Sequence, residues 1–103
     1  DLEVTFLADG QAQIQNYSPT CRYEAGLASY RVFGPNLVDQ LLNDSDKKLL
    51  QPDSTYTFFV LLPSCTTQLD AFYGSVIADP APPRYADRLL LSHLIPKGGY
   101  CTP

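Results

Sequence analysis

The sequence predicts an all-β fold, and three features of it support this prediction. Nine prolines and six glycines divide the 103 residues into short segments, which leaves little room for helices. Several of these segments alternate apolar with polar side chains, as a strand with one buried face does. With 45% hydrophobic and 17% charged residues, the composition is that of a chain able to form one core.

The first three strands are predicted from alternation and from turn residues. Residues 2–7 alternate, Asp9-Gly10 supplies a two-residue hairpin turn, and residues 11–17 alternate again. These segments predict a β-hairpin. Residues 23–33 continue to the stop at Gly34-Pro35 and predict the third strand.

Two segments are ambiguous between strand and helix. Leucines in residues 37–50 fit a helical stripe, but we favour two strands because the four turn-forming residues 43–46 suit a hairpin tip. Residues 84–95 contain good helix formers, yet the prolines on both sides favour a final strand. A helix stays the alternative for both segments.

The strongest strand signal is residues 55–62, TYTFFVLL, which follow a turn at residues 52–54. We expect this strand to be the central strand of the core. Residues 66–73 alternate and predict a further strand with one partly polar face. Residues 79–83 contain three prolines and are predicted to form an exposed extended loop, because proline fixes φ and removes a donor.

These segments together predict an antiparallel immunoglobulin-like β-sandwich of about seven to eight strands. The length fits a single domain over residues 1–103. Because the chain contains no methionine, we interpret it as a mature product or an excised module of a larger precursor.

Three cysteines predict one disulfide and one remaining thiol. If successive strands alternate in direction, Cys21, Cys65 and Cys101 all lie at one end of the sandwich. We prefer a Cys65–Cys101 bridge, because it joins the start of the penultimate strand to the end of the last, its hairpin partner. A single strand over residues 37–50 would move Cys21 to the opposite end and leave this bridge unchanged.

Cys21 is then the odd thiol. We interpret it as a small buried hydrophobic side chain, and the alternative is a disulfide to another chain or another part of the parent protein. Since disulfides persist in oxidising compartments, we expect a secreted, extracellular or cell-surface protein.

Charge and hydropathy limit the partners. The net charge is −4 and the seven basic residues are scattered, so a nucleic-acid partner is not expected. No apolar run approaches the roughly 18 residues of a membrane-spanning helix, so membrane insertion is not expected either.

The sequence does not predict an enzyme. The single histidine, His93, lies among leucines, and the chain has neither a G-x-S-x-G elbow nor a C-x-x-C pair. We therefore expect no catalytic residues, no metal site and no cofactor.

Two kinds of surface site are candidates. Asn16 and Asn43 begin acceptor sequons for N-glycosylation, although Pro19 weakens the first. The chain also has seven tyrosines, whose rings could stack on sugars. On the strand predicted over residues 66–73, the candidate ligand-binding residues are Gln68, Asp70 and Tyr73.

Three segments carry a resemblance to known domains: residues 23–30 (YEAGLASY), 62–74 (LPSCTTQLDAFYG) and 99–101 (GYC), about a quarter of the chain. They resemble uncharacterised immunoglobulin-like β-sandwich domains of predicted secreted or surface-anchored bacterial proteins. The resemblance implies an extracellular sandwich module, and it implies no site residues.

Two functions from different classes follow. The first is a non-catalytic structural or adhesive module that docks to other domains of its parent protein or to identical subunits. The open thiol and the linker-like residues 101–103 favour it. The alternative is a module that binds carbohydrate, such as a surface glycan, through exposed tyrosines.

Overall fold

The computed structural model describes residues 1–78 and 84–103, which form a sandwich of two antiparallel sheets. One sheet has three strands in the order β1-β2-β5, and the other has four in the order β4-β3-β6-β7. The strands are β1 (Leu2–Ala8), β2 (Gln11–Asn16), β3 (Tyr23–Val32), β4 (Gln40–Leu50), β5 (Ser54–Phe59), β6 (Thr67–Tyr73) and β7 (Leu89–Ile95). The prediction of an all-β antiparallel sandwich of about seven strands is confirmed.

The strand order is of the immunoglobulin-like kind, with one change. In constant-type immunoglobulin domains the fourth strand joins the sheet of the first, second and fifth strands. Here β4 pairs with β3 instead, which gives a three-plus-four sandwich. As a result β4 and β5 lie side by side at the border between the two sheets, although no ladder joins them.

The core lies between the sheets and follows the alternation of the strands. Its fully buried side chains include Ile14 of β2, Leu27 of β3 and Phe58 of β5. Burying an apolar side chain of this size contributes about 1.5–3 kcal/mol. A second, smaller cluster lies on the outer face of the four-stranded sheet, so β3 is covered on both faces.

The prediction of two strands within residues 37–50 is wrong. A 3-10 turn at Leu37–Asp39 leads into one strand, Gln40–Leu50. The turn-forming residues do not form a hairpin tip, because their side chains bond across to the chain beside β4. Asp44 accepts a hydrogen bond from the backbone N–H of Leu61 (2.7 Å), and Asp46 accepts one from that of Phe59 (3.0 Å).

The expectation that residues 55–62 form the central core strand is also wrong. The strand ends at Phe59 and lies at the edge of the three-stranded sheet. The exposed fractions of Phe59 and Leu61 are 61% and 75%. Strand propensity reports that a segment is extended, whereas its place in a sheet depends on pairing with distant segments.

The remaining elements agree with the sequence to within a few residues. The hairpin turn has Gly10 at φ 78°, a left-handed conformation that glycine adopts without strain. The final segment is a strand as predicted, but it is shorter: a 3-10 turn at Ala86–Arg88 precedes Leu89–Ile95. The loop predicted over residues 79–83 lies outside the described residues.

We predict that Asp44→Ala lowers the free energy of unfolding by about 1 kcal/mol and increases aggregation, because the Leu61 N–H loses its acceptor and the edge beside β5 is opened. Urea unfolding and light scattering measure the two effects. The matched control is Asp87→Ala, which removes an exposed carboxylate in a 3-10 turn. Equal behaviour of the two variants would contradict the protective role of Asp44.

Candidate functional site

The predicted Cys65–Cys101 disulfide is present, with the Cα atoms 5.0 Å apart. Cys65 lies just before the start of β6, and Cys101 lies shortly after the end of β7. Around the disulfide, Thr66 N–H donates to the carbonyl of Gly99 (2.9 Å), and Cys101 N–H donates to the carbonyl of Val32 (2.8 Å). We call Cys65, Thr66, Gly99 and Cys101 the disulfide clamp. It fastens the end of the chain to the four-stranded sheet.

Cys21 lies at the opposite end of the sandwich from the clamp. It comes just before β3, whose first residue pairs with Leu50, whereas the clamp lies beside the end of β3. The expectation that all three sulfurs meet is wrong because residues 37–50 contain a single strand. The interpretation of Cys21 as a buried side chain is also wrong, since the residue is exposed.

The surroundings of Cys21 favour its thiolate. Hydrogen bonding to the side chain of Ser18, and then to that of Thr20, lowers the pKa of the Cys21 thiol. Ser18 is itself fixed, because its hydroxyl oxygen accepts from the backbone N–H of Cys21 at 2.9 Å. The thiol is therefore accessible, and its pKa lies below the usual value of a cysteine.

The two predicted glycosylation residues are hydrogen-bonding groups of the fold. Asn16 is fully buried, and its amide donates to the carbonyls of Cys21 (2.8 Å) and Gln51 (3.0 Å). A glycan on this amide would be incompatible with the folded domain. Asn43 is half-buried and donates to the carbonyl of Leu61 at 3.0 Å.

The predicted ligand-binding residues do not share a surface. Along β6, Tyr73 packs against the core between the sheets, whereas Gln68 and Asp70 lie on the outer face. Asp70 is buried, with 4% of its surface exposed. Strand alternation separates the tyrosine from the two polar residues, so the three cannot hold one ligand together.

Asp70 belongs to a buried ion pair that the sequence analysis missed. The Arg84 guanidinium donates from Nη2 to Asp70 Oδ2 (3.1 Å) and to Gln40 Oε1 (2.6 Å), and it lies 3.6 Å from the ring centroid of Tyr30. The exposed fractions of the Arg84 and Asp70 side chains are 2% and 6%. In the sequence, only the partly polar face predicted for residues 66–73 indicated a polar contact at this position.

Two tyrosines complete this outer cluster. The hydroxyls of Tyr30 and Tyr85 are hydrogen-bonded at 2.6 Å, and Tyr30 also donates to the carbonyl of Ile77 at 2.7 Å. Tyr85 stacks on Phe72 with ring centroids 4.6 Å apart. Burial, together with the bond to Tyr85, raises the pKa of Tyr30 well above its usual range. The cluster holds Val76, Ile77 and Tyr85 against the sheet.

Gln68, Asp70 and Arg84 also line a cleft of about 290 Å³ on the outer face of the four-stranded sheet. Within the described part of the chain, Arg84 Nε and Nη1 have no hydrogen-bond partner, but both atoms are closed off from solvent. Tyr85 holds φ at 63°, an uncommon conformation for a non-glycine residue, which the packing of its ring stabilises.

An open cleft lies at the Cys21 end of the sandwich. Its volume is about 520 Å³, and a smaller cleft of about 270 Å³ adjoins it. Both are lined by Tyr23 and Tyr73, and we call them together the tyrosine cleft. Arg22 and Glu24 line the larger part, so aromatic rings and charged groups face the same space.

No protein-family model, no curated protein and no solved structure matches this chain. In residues 1–78 and 84–103, no helix is long and apolar enough to cross a membrane. The same ranges hold no group of three His, Cys, Asp or Glu side chains arranged to bind a metal ion.

We predict that Asp70→Ala lowers the free energy of unfolding by about 3–5 kcal/mol, because it leaves the Arg84 charge buried without its partner. The double change Asp70→Leu with Arg84→Met should restore most of that loss. Urea unfolding of the unchanged protein, Asp70→Leu, Arg84→Met and the double variant gives the coupling free energy between the two positions. As a control, the exposed pair Glu24–Lys47 should couple by about 0–1 kcal/mol. Additive losses at Asp70 and Arg84 would contradict the buried pair.

We predict that Cys21 of the native protein reacts with iodoacetamide at a lower pH than a free cysteine does. Ser18→Ala and Thr20→Val should each raise the pH midpoint of the reaction rate, because each removes a hydrogen bond to the sulfur. Intact mass before and after reduction locates the label, and the clamp cysteines serve as unreactive controls. Unchanged midpoints in both variants would contradict this account.

Proposed function

We propose that this chain is a non-catalytic structural or adhesive module of a secreted or cell-surface protein or assembly. The disulfide clamp is the observation that carries the proposal. It closes a covalent loop with a sequence separation of 36 residues, which contributes about 3–4 kcal/mol in the chain-entropy model. A module that spaces or docks other parts of an assembly needs this resistance to unfolding.

The clamp also supports the proposed location. Disulfides in small domains persist in oxidising compartments, and they are rare where glutathione keeps thiols reduced. The resemblance of three segments to domains of bacterial surface proteins points the same way. The proposed partners are other domains of the parent protein or identical subunits, and the acidic net charge of −4 argues against nucleic acid.

A structural role has a mechanical consequence. When the ends of the chain are pulled apart, the residues between Cys65 and Cys101 cannot extend. The 36 residues of that separation would otherwise add about 120 Å of length. The oxidised module therefore keeps β6 and β7 joined under tension.

Single-molecule pulling on the full chain, held by its two ends between reference domains, tests this function. We predict a distinct unfolding force peak for the oxidised protein and a released length shorter by about 120 Å than that of the reduced protein. Cys101→Ser should behave as the reduced protein, and Cys21→Ser as the oxidised one. If the oxidised chain extends without a force peak, the structural function is overturned.

The tyrosine cleft favours a second candidate, a module that binds carbohydrate. Tyr23 and Tyr73 offer rings for stacking on a sugar, and the side chains of Arg22 and Glu24 can hydrogen-bond to its hydroxyl groups. Of the residues expected to bind ligand, Tyr73 lies in this cleft, whereas Gln68 and Asp70 lie on the other face of β6.

A glycan array followed by titration of the best soluble oligosaccharide tests this candidate. Tyr23→Ala should weaken binding at least about tenfold, because one of the two stacking surfaces is lost. Tyr100→Ala is the matched control, since Tyr100 is exposed and lies outside the cleft. Absence of binding to every glycan, or equal loss in both variants, would remove this candidate.

A further inference from the structure

Each sheet has two outer strands, and each outer strand presents backbone N–H and C=O groups that no neighbouring strand satisfies. These strands are β1 and β5 in one sheet and β4 and β7 in the other. Proteins ordinarily protect such edges with charged side chains, bulges or covering groups, because an open edge pairs with other chains.

Three of the four edges carry such protection. The edge beside β5 is capped by the carboxylates of Asp44 and Asp46. The β4 edge carries these acids together with Lys47 and Lys48. The β1 edge has the exposed charge of Glu3 and an irregular register near its end.

The β7 edge carries none of these charges. Its sequence, LLLSHLI, contains no Asp, Glu, Lys or Arg. The β6–β7 ladder has one irregularity, between Leu89 and Leu91, and from Leu91 to Ile95 the strand pairs with β6 in regular register. Among the described residues, β7 forms a ladder with β6 alone.

Apolar side chains are exposed along this same strand. The exposed fractions of Leu91 and Leu94 are 41% and 51%. His93 reaches towards the other sheet, where its ring lies 5.9 Å from that of Phe6. The strand therefore combines unpaired backbone groups with apolar side chains, which is the chemistry of a surface that accepts an added strand.

We propose that the β7 edge docks a second copy of this chain, with the two β7 strands antiparallel and the two four-stranded sheets joined into one. The inference rests on the proposed structural function, for which identical subunits are partners, but its test measures association of two chains and not the resistance of one chain to force. The clamp can resist force whether or not β7 pairs.

Charge and symmetry favour a second copy as the occupant. Because β7 has no acidic or basic side chain other than His93, antiparallel self-pairing brings no carboxylate or lysine opposite its own image. A two-fold contact of this kind is self-complementary and closed. It uses the unprotected edge of both copies at once, so assembly stops at the dimer.

Sedimentation equilibrium of the full chain tests the proposal, on a Cys21→Ser background that removes disulfide-linked dimers. Between about 1 µM and 1 mM we expect a reversible monomer–dimer equilibrium. Leu94→Lys should weaken the dimer at least about tenfold, because it sets a charge on each side of the two-fold axis. The control Thr5→Lys adds the same charge to the exposed face of β1 and should change nothing.

Circular dichroism and thermal unfolding verify that the variants are folded, and Ser92→Lys serves as a second edge variant because Ser92 is also exposed. Hydrogen exchange should show protection, rising with protein concentration, of those amides within residues 91–95 that face away from β6. A protein that stays monomeric over the whole range overturns the proposal. A dimer that resists both edge variants, or that Thr5→Lys weakens equally, overturns it as well.

Discussion

The burial of β3 on both faces is the constraint on which the rest of the structure depends. Its inner face packs against the three-stranded sheet, and its outer face is covered by Val76, Ile77 and Tyr85. Close covering requires small residues: a Cβ on Gly26 would come within 2.6 Å of the Asp46 carbonyl oxygen and 3.0 Å of Phe72. The buried Arg84–Asp70 pair and the hydroxyl contact between Tyr30 and Tyr85 hold that outer layer in place.

The border between the sheets is asymmetric. On one side, side chains of β4 form hydrogen bonds to the backbone of Phe59 and Leu61, at the end of β5 and just after it. These bonds join β4 to β5 in the absence of backbone pairing between the two strands. On the other side, β1 and β7 approach through Phe6 and His93 without such bonds. The two ends of the sandwich also differ. The disulfide clamp closes one end, and the other end carries the exposed Cys21.

Features determined by nearby residues could be predicted from the sequence, whereas those determined by distant residues could not. Alternation and Asp9-Gly10 predicted the first hairpin, and the expected pairing of the last two strands as a hairpin was enough to prefer the Cys65–Cys101 bridge. Residues 54–59 form an edge strand because of which distant segments pair with them, and the local sequence pattern does not predict those pairings. The partner of Asp70 comes from the far side of a long connection, so only the polar face of β6 was visible beforehand.

The hydroxyl contact between Tyr30 and Tyr85 has an optical consequence. Since the chain contains no tryptophan, its intrinsic ultraviolet emission comes from tyrosine alone. Two of these seven fluorophores are enclosed in the outer layer, one stacked on Phe72 and the other bonded to a carbonyl. Detachment of that layer alters the quenching of both rings, so the protein carries a built-in, label-free reporter of its outer layer.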